Sequence, residues 1–398
     1  MQLLYFLYLI FLGYIGLSVL ILFVSAIAGR IGKADDRHHA HTPQFFRKIG
    51  VLIPAYKEDA VIVDSIKVNL RQEYPADRFD LIVIADSLQQ STLMQLAALP
   101  IKVIEVSFEV STVTKAINAA LASMPDNAYD IMLVSDADNH MASDFLSRIN
   151  VGFEQGWRAI QGHRVAKNTN TSVALLDAIS EEINNHIFRK GSRVLGLSSA
   201  IIGSGMAFDY PSMKRAMTDL QTMGGYDKEL EMNIILSGDA IAYFEEALIF
   251  DEKVANRAVF QNQRTRWIAA QWQFVKFYLP KGLTQLMQGR WAVGFKVVQS
   301  LVLPRVLLLG LLFVCSCIGL LSSHSELRLL PIILLVTLLF TLIISVPAYL
   351  RKRITLREVL LVPALMLNFA KAVFNMRKAF KSFLHTPHQG TPDAPASR

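Results

Sequence analysis

Two aspartates one residue apart, Asp136 and Asp138, follow a short apolar run in the segment DIMLVSDAD, residues 130–138. At about 4 Å and an effective dielectric near 20, two carboxylates repel each other by roughly 4 kcal/mol. On a strand both would face the same way, with Cα atoms about 6.6 Å apart. That spacing suits one divalent cation, Mg²⁺ or Mn²⁺, shared by carboxylate, phosphate and water oxygens. We interpret the pair as a metal site for a diphosphate, although such a pair also occurs by chance.

The elements that must position this pair alternate between strand and helix patterns from residue 50 to residue 140. The apolar runs have strand length and are nearly continuous, as in a parallel sheet covered on both faces. They comprise residues 50–55, 80–86, 101–107 and 130–136. Between the last two, STVTKAINAALASM (111–124) repeats its apolar residues at helical spacing. The pattern predicts an α/β doubly wound fold, in which ligands bind beyond the carboxyl ends of the strands.

Polar and charged side chains stand at these predicted strand ends. They are Tyr56, Lys57, Glu58 and Asp59 after the first strand, Asp86 after the second, and Lys115 at the start of the helix that follows the third. Strand ends are often polar for no functional reason, and that explanation serves equally well for Lys57 or Glu58 alone. It is weaker for the whole set, which we interpret as the lining of a ligand site.

The two ends of the chain are apolar, which accounts for a hydrophobic content of 52% in 398 residues. Three segments are long enough to cross a bilayer: Leu3–Ala28, Val306–Ser322 and Leu329–Leu350. The first lacks a basic leader and a small-residue cleavage site, so we interpret it as an anchor. For Val359–Met376 we favour an amphipathic helix in the plane of the membrane over a fourth crossing. The tail from Thr386 on is predicted to be disordered.

Basic residues follow the first predicted span, precede the second and follow the third, whereas the short loop 323–328 between the second and third spans carries only Arg328. This distribution predicts an N-terminus outside and residues 30–300 in the cytoplasm, followed by a hairpin out and back. The formal net charge of +7 is then mostly membrane-flanking. The chain shows no basic–aromatic interleaving, so we expect no nucleic-acid partner. Cys315 and Cys317 both fall inside the second span, which excludes a disulfide framework and a zinc site.

Several motifs occur in the order seen in membrane-bound family 2 glycosyltransferases, which include the synthases of cellulose, chitin and hyaluronan. The matching segments are VLIPAYKED (51–59), IVIADS (82–87), Lys115, SDAD (135–138), GSGMAF (203–208), GGYDKELEMNIILSG (224–238) and QNQRTRW (261–267). The chain resembles this family over roughly residues 45–280 and in the flanking membrane helices. The pattern Q-x-x-R-W downstream of D-x-D is the most specific part of the resemblance.

The resemblance implies a GT-A fold, which is a Rossmann-like mixed sheet. It also implies a nucleotide-sugar donor, for which we expect a UDP-sugar, and inversion at the anomeric carbon. It assigns nucleotide-sugar binding to Pro54, Tyr56, Glu58, Asp86, Lys115 and Asp136, the metal to Asp136 and Asp138, and acceptor or diphosphate contacts to Gly205, Gln263, Arg266 and Trp267. It also implies a glycan or lipid-linked acceptor and a bacterial cytoplasmic membrane, with the catalytic domain facing the cytoplasm.

The sequence departs from the family at the segment that supplies the general base. YDKELEM aligns Glu229 with the family's catalytic aspartate but places Lys228 where the family has glutamate. Asp227 is the other candidate, and from the sequence we prefer Glu229. The departure at Lys228 also keeps open an alternative of another class, a non-catalytic scaffold or binding protein on a glycosyltransferase fold.

Two further motifs have a structural alternative. On a helix Gln263, Arg266 and Trp267 would share one face, but an exposed tryptophan can also anchor a helix at the bilayer surface. The glycines of GSGMAF allow close backbone approach or form a plain tight turn. His163 is interpreted as structural because no second histidine lies at ligand spacing, and His140 lies beside the aspartate pair without a convincing role.

We therefore expect four regions. They are an N-terminal transmembrane helix (1–29), a cytoplasmic GT-A catalytic domain (30–280), an interfacial segment with a transmembrane hairpin (281–353), and an amphipathic or membrane helix with a disordered tail (354–398). Product synthesis can then be processive, with the polymer passing between the helices, or can stop after one sugar. The Q-x-x-R-W pattern favours the first version, and the small number of spans favours the second.

Overall fold

The computed structural model describes residues 2–36, 42–218, 220, 225–253, 257–322, 324–364 and 366. For residues 2, 4 and 257–266 it describes the backbone alone. The predicted tail and most of Val359–Met376 therefore lie outside the described residues, as does Gly224.

The middle of the chain folds around a mixed sheet, which has eight strands in the described residues. The strands are β1 (Ile49–Tyr56), β2 (Phe79–Asp86), β3 (Lys102–Val106), β4 (Ile131–Val134), β5 (His140–Met141), β6 (Ala159–Ala166), β7 (Met206–Asp209) and β8 (Ala242–Asp251). Their spatial order is β3-β2-β1-β4-β7-β6-β8-β5. Strands β1 to β4 are parallel, whereas β7 runs antiparallel to β4 and β6.

Helices cover both faces of this sheet and extend the chain at both ends. They are α1 (Gln2–Ile31), α2 (Ile62–Asn69), α3 (Gln90–Ala97), α4 (Val113–Ser123), α5 (Phe145–Glu154), α6 (Ser172–Asn184), α7 (Ser192–Val194), α8 (Tyr210–Thr218), α9 (Tyr226–Leu236), α10 (Arg257–Met287), α11 (Trp291–Ser300), α12 (Arg305–Leu320), α13 (Ser325–Ser345) and α14 (Ala348–Arg351). A π-helical segment, Asn185–Gly191, joins α6 to α7.

The central strands are apolar on both faces because each face carries its own core. In β1, Leu52 packs into the core that also holds α4, α8 and α9, whereas Val51 and Ile53 point into the opposite core with α2 and α5. All three side chains are at most 1% exposed. Each contributes roughly 1.5–3 kcal/mol by burial. This two-sided burial explains the nearly continuous apolar runs of the sequence.

The predicted strands at 50–55 and 80–86 are confirmed as β1 and β2, and the predicted helix at 111–124 as α4. The prediction of a strand over 130–136 was wrong at its carboxyl end, because β4 stops at Val134. Ser135 donates its N–H to Leu52 at 3.0 Å, after which the chain turns and Asn139 donates to the Asp136 carbonyl at 3.1 Å. Both aspartates therefore lie in a turn, so the same-face geometry expected of a strand does not apply.

Helices α1, α12 and α13 form a bundle with an apolar interior. Tyr5–Ile31 and Ser325–Ser345 are each long and apolar enough to cross a membrane. The second predicted span, Val306–Ser322, corresponds to α12, which has 16 residues and meets α11 at a bend of 64°, so this part of the described chain is long enough to cross a membrane only if the bent pair counts as one span. Residues 356–364 are helical, and Glu358 accepts a hydrogen bond from Ser172 at 2.7 Å.

Candidate active site

The turn of residues 135–139, which follows β4 and is called here the DAD turn, is fixed by groups from three other segments. Ser204 accepts the Asp136 N–H at 3.0 Å. The N–H of Glu252, just after β8, donates to Asp138 Oδ2 at 3.2 Å, and Lys167 donates to the Asp138 carbonyl. Asp138 is therefore 2% exposed, whereas the side chain of Asp136 is 43% exposed. The turn presents one carboxylate to solvent and holds the other inside.

Asn139 completes this arrangement when its amide is oriented to give each atom a complementary partner. Its nitrogen then donates to Asp138 Oδ1 at 3.1 Å and to Asp251 Oδ1 at 3.2 Å, while its oxygen accepts from Ser204 Oγ at 2.6 Å. The Ser204 hydroxyl thus accepts from one residue of the turn and donates to another. The middle residue of the GSG motif is consequently a structural partner of the aspartates.

A buried group of charges lies behind the turn, on its interior side. Arg164 Nη1 is 3.8 Å from Asp136 Oδ2, and its Nη2 is 3.2 Å from Glu181 Oε2. Burial alone would lower the pKa of Arg164, but the carboxylates of Asp251, Glu181 and Asp136 raise it above its ordinary value. Burial would likewise raise the pKa of Glu181, but Arg164 and Arg189 hold it well below its usual range. Both groups therefore remain charged.

The loop of residues 203–205 places its glycines against the sheet. Gly205 has φ +64, and a Cβ at this position would lie 2.7 Å from Ile249 Cγ2. Its N–H donates to the Val134 carbonyl at 2.9 Å, and its carbonyl accepts from Gly162 at 2.7 Å. The left-handed backbone and the close approach to Ile249 both favour glycine at position 205, since each disfavours a side chain. The predicted close backbone approach at Gly205 is therefore present.

Helix α9 begins beside this loop and carries both candidates for the base. The Tyr226 hydroxyl donates to the Gly203 carbonyl at 2.9 Å. Burial raises the pKa of Tyr226 well above its ordinary value, and the carboxylates of Asp136 and Asp227 add to the effect. Asp227 follows Tyr226 in the first turn of α9, within electrostatic range of Arg164, the residue that contacts Asp136. Burial also raises the pKa of Asp227, although Lys228 and Arg164 partly oppose that shift.

Glu229 points in a different direction from Asp227. Two residues apart on a helix differ by about 200° around its axis. Glu229 is 2% exposed and accepts a hydrogen bond from the Tyr278 hydroxyl of α10 at 3.2 Å. Burial raises the pKa of Tyr278, and Glu229 adds to the shift. The side chains of Asp227 and Glu229 therefore project from different faces of α9.

Helix α10 brings the Q-x-x-R-W segment to the start of α9. Gly225, which precedes α9, has φ +73, and a Cβ there would lie 2.8 Å from the Ala270 Cβ of α10. Trp267, about one turn before Ala270, is 38% exposed. Gln263 and Arg266 belong to the same helix, but their side chains lie outside the described residues.

The residues predicted to bind the nucleotide gather at the carboxyl ends of β1 and β2. Tyr56 pairs with Asp86 in the parallel register, and Lys57 donates its N–H to the Asp86 carbonyl at 3.1 Å. Asp86 is 2% exposed and accepts from the Ser87 hydroxyl at 2.9 Å. Lys57 and Ser87 have φ values of 56 and 58, a conformation that costs non-glycine residues roughly 1–2 kcal/mol each. Such strain often marks functional sites.

The remaining predicted residues lie around this edge of the sheet. Pro54 is inside β1, and Glu58 follows that strand, half-buried. Lys115 is in the first turn of α4, where its ammonium donates to the Val110 carbonyl at 2.8 Å. Strand topology thus brings the nucleotide residues and the DAD turn to the same edge, since β2, β1 and β4 are adjacent and parallel.

Sequence reasoning missed the residues that hold the turn. They are Arg164, Lys167, Ser204, Asp251 and Glu252. No comparable local signal was available, because the segment AIQGHRVAK (159–167) lacks the continuous apolar run that precedes the predicted site residues. The partners of Arg164 and Lys167 come from residues far apart in the chain, and only the position of β6 beside β8 and β7 reveals the contacts.

Known proteins show the same organisation. Residues 46–270 match the family model described as glycosyltransferase like family 2. The chain is 27% identical over 238 residues to a probable glycosyltransferase, YdaM, of Bacillus subtilis (strain 168). That match spans 55% of this chain and 54% of YdaM, so about half of the relative's length.

A similar solved structure is the mannosyltransferase PcManGT from Pyrobaculum calidifontis, in complex with GDP-Man and Mn²⁺. It superimposes with a TM-score of 0.52 at 15% identity, over 84% of this chain and 96% of that chain. At this identity the likeness establishes the fold, which is GT-A. The family model covers more than half of the chain, from the first strand to α10. The chain therefore belongs to the family described as glycosyltransferase like family 2.

Proposed function

We propose that the chain is an inverting glycosyltransferase that moves a sugar from a nucleoside-diphosphate sugar to a glycan or lipid-linked acceptor at a membrane surface. The observation that supports this most is a continuous series of contacts. Asp136 contacts Ser204, Tyr226 contacts Gly203, and Gly225 lies against Ala270 of α10. These contacts join the proposed diphosphate residues, the candidate bases and the proposed acceptor helix around one site.

The donor set of the DAD turn fits a divalent cation that is completed by substrate. The described residues contain no group of three or more histidine, cysteine, aspartate or glutamate side chains suited to a metal. Mg²⁺ and similar ions commonly take only one or two carboxylates and complete their shell with phosphate and water. Asp136 is placed to supply the solvent-facing ligand, with Asp138 behind it. Such a cation would neutralise charge that develops on the departing diphosphate.

The chain's own groups perform the proton transfer and bind the leaving group. A carboxylate accepts the proton of an acceptor hydroxyl, whose oxygen forms a bond to the anomeric carbon as the bond from that carbon to the diphosphate oxygen breaks. Attack opposite the diphosphate inverts the anomeric carbon. We propose Asp227 as this base, because it lies in the first turn of α9 next to Tyr226 and within electrostatic range of Arg164, whereas Glu229 is buried against Tyr278. Arg266 would stabilise the leaving diphosphate.

The helix bundle supports a membrane location with one orientation. The Tyr5 hydroxyl donates to Glu326 at 3.0 Å, so the start of α1 lies beside the start of α13. At the other end, His186 of the π-helical segment donates to the Ala26 carbonyl of α1 at 2.9 Å. The catalytic domain and the N-terminus thus lie at opposite ends of the bundle. Together with the flanking basic residues, this supports a cytoplasmic catalytic domain.

Orientation is testable with a membrane-impermeant maleimide on intact cells. The variants S325C and S87C are made in a chain in which Cys315 and Cys317 are alanine. We expect S325C to react in intact cells and S87C to react only after lysis. Reaction of S87C in intact cells would contradict the orientation.

The reaction itself is tested by incubating membranes with a panel of labelled nucleotide sugars and Mn²⁺ or Mg²⁺, followed by sizing of the product. Transfer from at least one donor is expected. Product that lengthens with time identifies a processive polysaccharide synthase, and one sugar per acceptor identifies single transfer. Absence of transfer from every donor would favour a non-catalytic scaffold, the alternative that Lys228 keeps open.

A further inference from the structure

The interior side of the DAD turn rests on five buried or nearly buried charged residues that the proposed function does not use. We call them the Arg164 cluster: Arg164 of β6, Glu181 of α6, Arg189 of the π-helical segment, Asp251 at the end of β8, and Lys253. With Asp136 included, three cations face three carboxylates, so the cluster is balanced. A balanced group of this kind can stay charged inside a protein if each member has a partner.

The contacts within the cluster form a chain that ends at Asp136. Arg189 Nη1 is 3.0 Å from Glu181 Oε1, and the other oxygen of Glu181 is 3.2 Å from Arg164 Nη2. The Nε of Arg164 is 3.9 Å from Asp251 Oδ2, which Lys253 also contacts at 2.6 Å. Glu181 thus holds the guanidinium by a hydrogen bond, and Asp251 attracts it over a longer distance, at which Nε forms no hydrogen bond with any described residue. The third edge of the guanidinium is directed at Asp136, with Nη1 3.8 Å from Oδ2.

The Asp136 carboxylate has Arg164 on its interior side and solvent on its other side. Arg164 is 7% exposed and approaches from the interior, whereas 43% of the Asp136 side chain is open to solvent. At 3.8 Å the contact is an ion pair without a hydrogen bond, and a guanidinium that is itself held by its partners keeps its charge on one side of the carboxylate more firmly than a flexible ammonium does. It also offsets part of the repulsion between Asp136 and Asp138 before any other cation arrives. Arg164 therefore acts on Asp136 from the side that a nucleotide does not reach.

We propose that Arg164, held in place by Glu181 and Asp251, is a positioning residue that fixes the Asp136 carboxylate for the diphosphate of the donor. The inference rests on the proposed function, because it assumes that Asp136 faces a nucleoside diphosphate. It predicts that the cluster influences donor affinity although none of its residues needs to contact the donor. Partners that orient a ligand-binding carboxylate typically account for 10–100-fold in affinity.

The test measures binding of UDP and of GDP, each with Mn²⁺, to the full-length chain in detergent by titration calorimetry. R164Q should bind the nucleotide that the wild type binds roughly 10–100-fold more weakly. R164K keeps the charge without the planar fork and should recover part of that loss. The matched control is R158Q, which removes an arginine just before β6 that pairs with Asp209 at 3.0 Å. R158Q should bind as the wild type does.

A double-mutant cycle distinguishes positioning from direct contact or general damage. If Arg164 acts through Asp136, R164Q should weaken binding by less than about twofold in a D136N background, because the group that it positions has already lost its charge. Equal losses in the two backgrounds would overturn the inference, since Arg164 would then act independently of Asp136.

Loss of Arg164 leaves two buried carboxylates with fewer partners, so R164Q could fold poorly. The variant R164Q/E181Q removes a cation and an anion together and keeps the cluster balanced. It should melt close to the wild type and still show the loss of nucleotide affinity. A folded R164Q/E181Q that binds as tightly as the wild type would overturn the inference alone, whereas a wild type that binds neither nucleotide would overturn the proposed function as well.

Discussion

Gly205 gives a prediction whose size follows from the geometry of the site. In G205A, the left-handed backbone (φ +64) costs roughly 1–2 kcal/mol. The new Cβ would also lie 2.7 Å from Cγ2 of the fully buried Ile249, and overpacking of this kind costs about 1–3 kcal/mol. The matched control is G196A, which has a similar φ of +76 but no atom within 4 Å of its Cβ. The difference between the two variants therefore isolates the contact with Ile249.

Thermal unfolding of the purified protein, followed by intrinsic fluorescence, measures this difference. A destabilisation of 1 kcal/mol lowers Tm by roughly 2–4 °C in a domain of 150–250 residues. We expect G205A to melt roughly 2–12 °C below G196A. Because Gly205 adjoins Ser204, which holds the DAD turn, G205A should also lose activity at temperatures where it is still folded. Equal melting temperatures for the two variants would refute the close approach to Ile249.

Two further sets of predictions concern the base and the acceptor. D227N should lower kcat about 10²–10⁴-fold, as expected for loss of a general base. E229Q should lower the melting temperature and leave kcat largely unchanged, because it disturbs the hydrogen bond from Tyr278. A large loss of kcat in E229Q and a small one in D227N would assign the base to Glu229. Burial raises the pKa of Asp227, and the base acts when it is deprotonated. The rate should therefore fall as the pH decreases through a pKa above the ordinary aspartate value of about 4. D227N should remove this acidic limb of the pH–rate profile. W267A should raise the KM for acceptor. W272A, which removes another exposed tryptophan of α10, should leave that KM unchanged. If the two variants weaken membrane association equally and neither changes the KM, both tryptophans are interfacial anchors.

The parts of the fold that were predictable from the sequence are those where local pattern and burial agree. The runs that became β1 and β2 are buried on both faces, so their apolar character is continuous and their ends are visible. The apolar pattern did not show where β4 ends, because the turn that begins after Val134 depends on hydrogen bonds to Leu52 and Ser204. Hydrogen bonds to distant residues leave no periodic signal.

The candidate site likewise contains residues that the sequence predicts and residues that only the fold reveals. Asp136, Asp138 and Trp267 belong to short motifs whose spacing carries information, so a single sequence suffices to propose them. Arg164 and Glu181 come from a strand and a helix that only the sheet order brings together, and neither lies in a motif. The bend between α11 and α12 also escaped prediction, because composition reports how apolar a segment is but not where it changes direction.

The most direct test of the account compares sugar transfer by the wild type, D138N and D64N in the presence of Mn²⁺ or Mg²⁺. Asp64 is a suitable control because it lies on α2 with a side chain that is 85% exposed. We expect the wild type and D64N to transfer sugar from a nucleotide donor, and chelation of the metal to abolish this transfer. We expect D138N to remain folded and to be inactive. Full, metal-dependent transfer by D138N would contradict the central claim that the DAD turn binds the donor diphosphate.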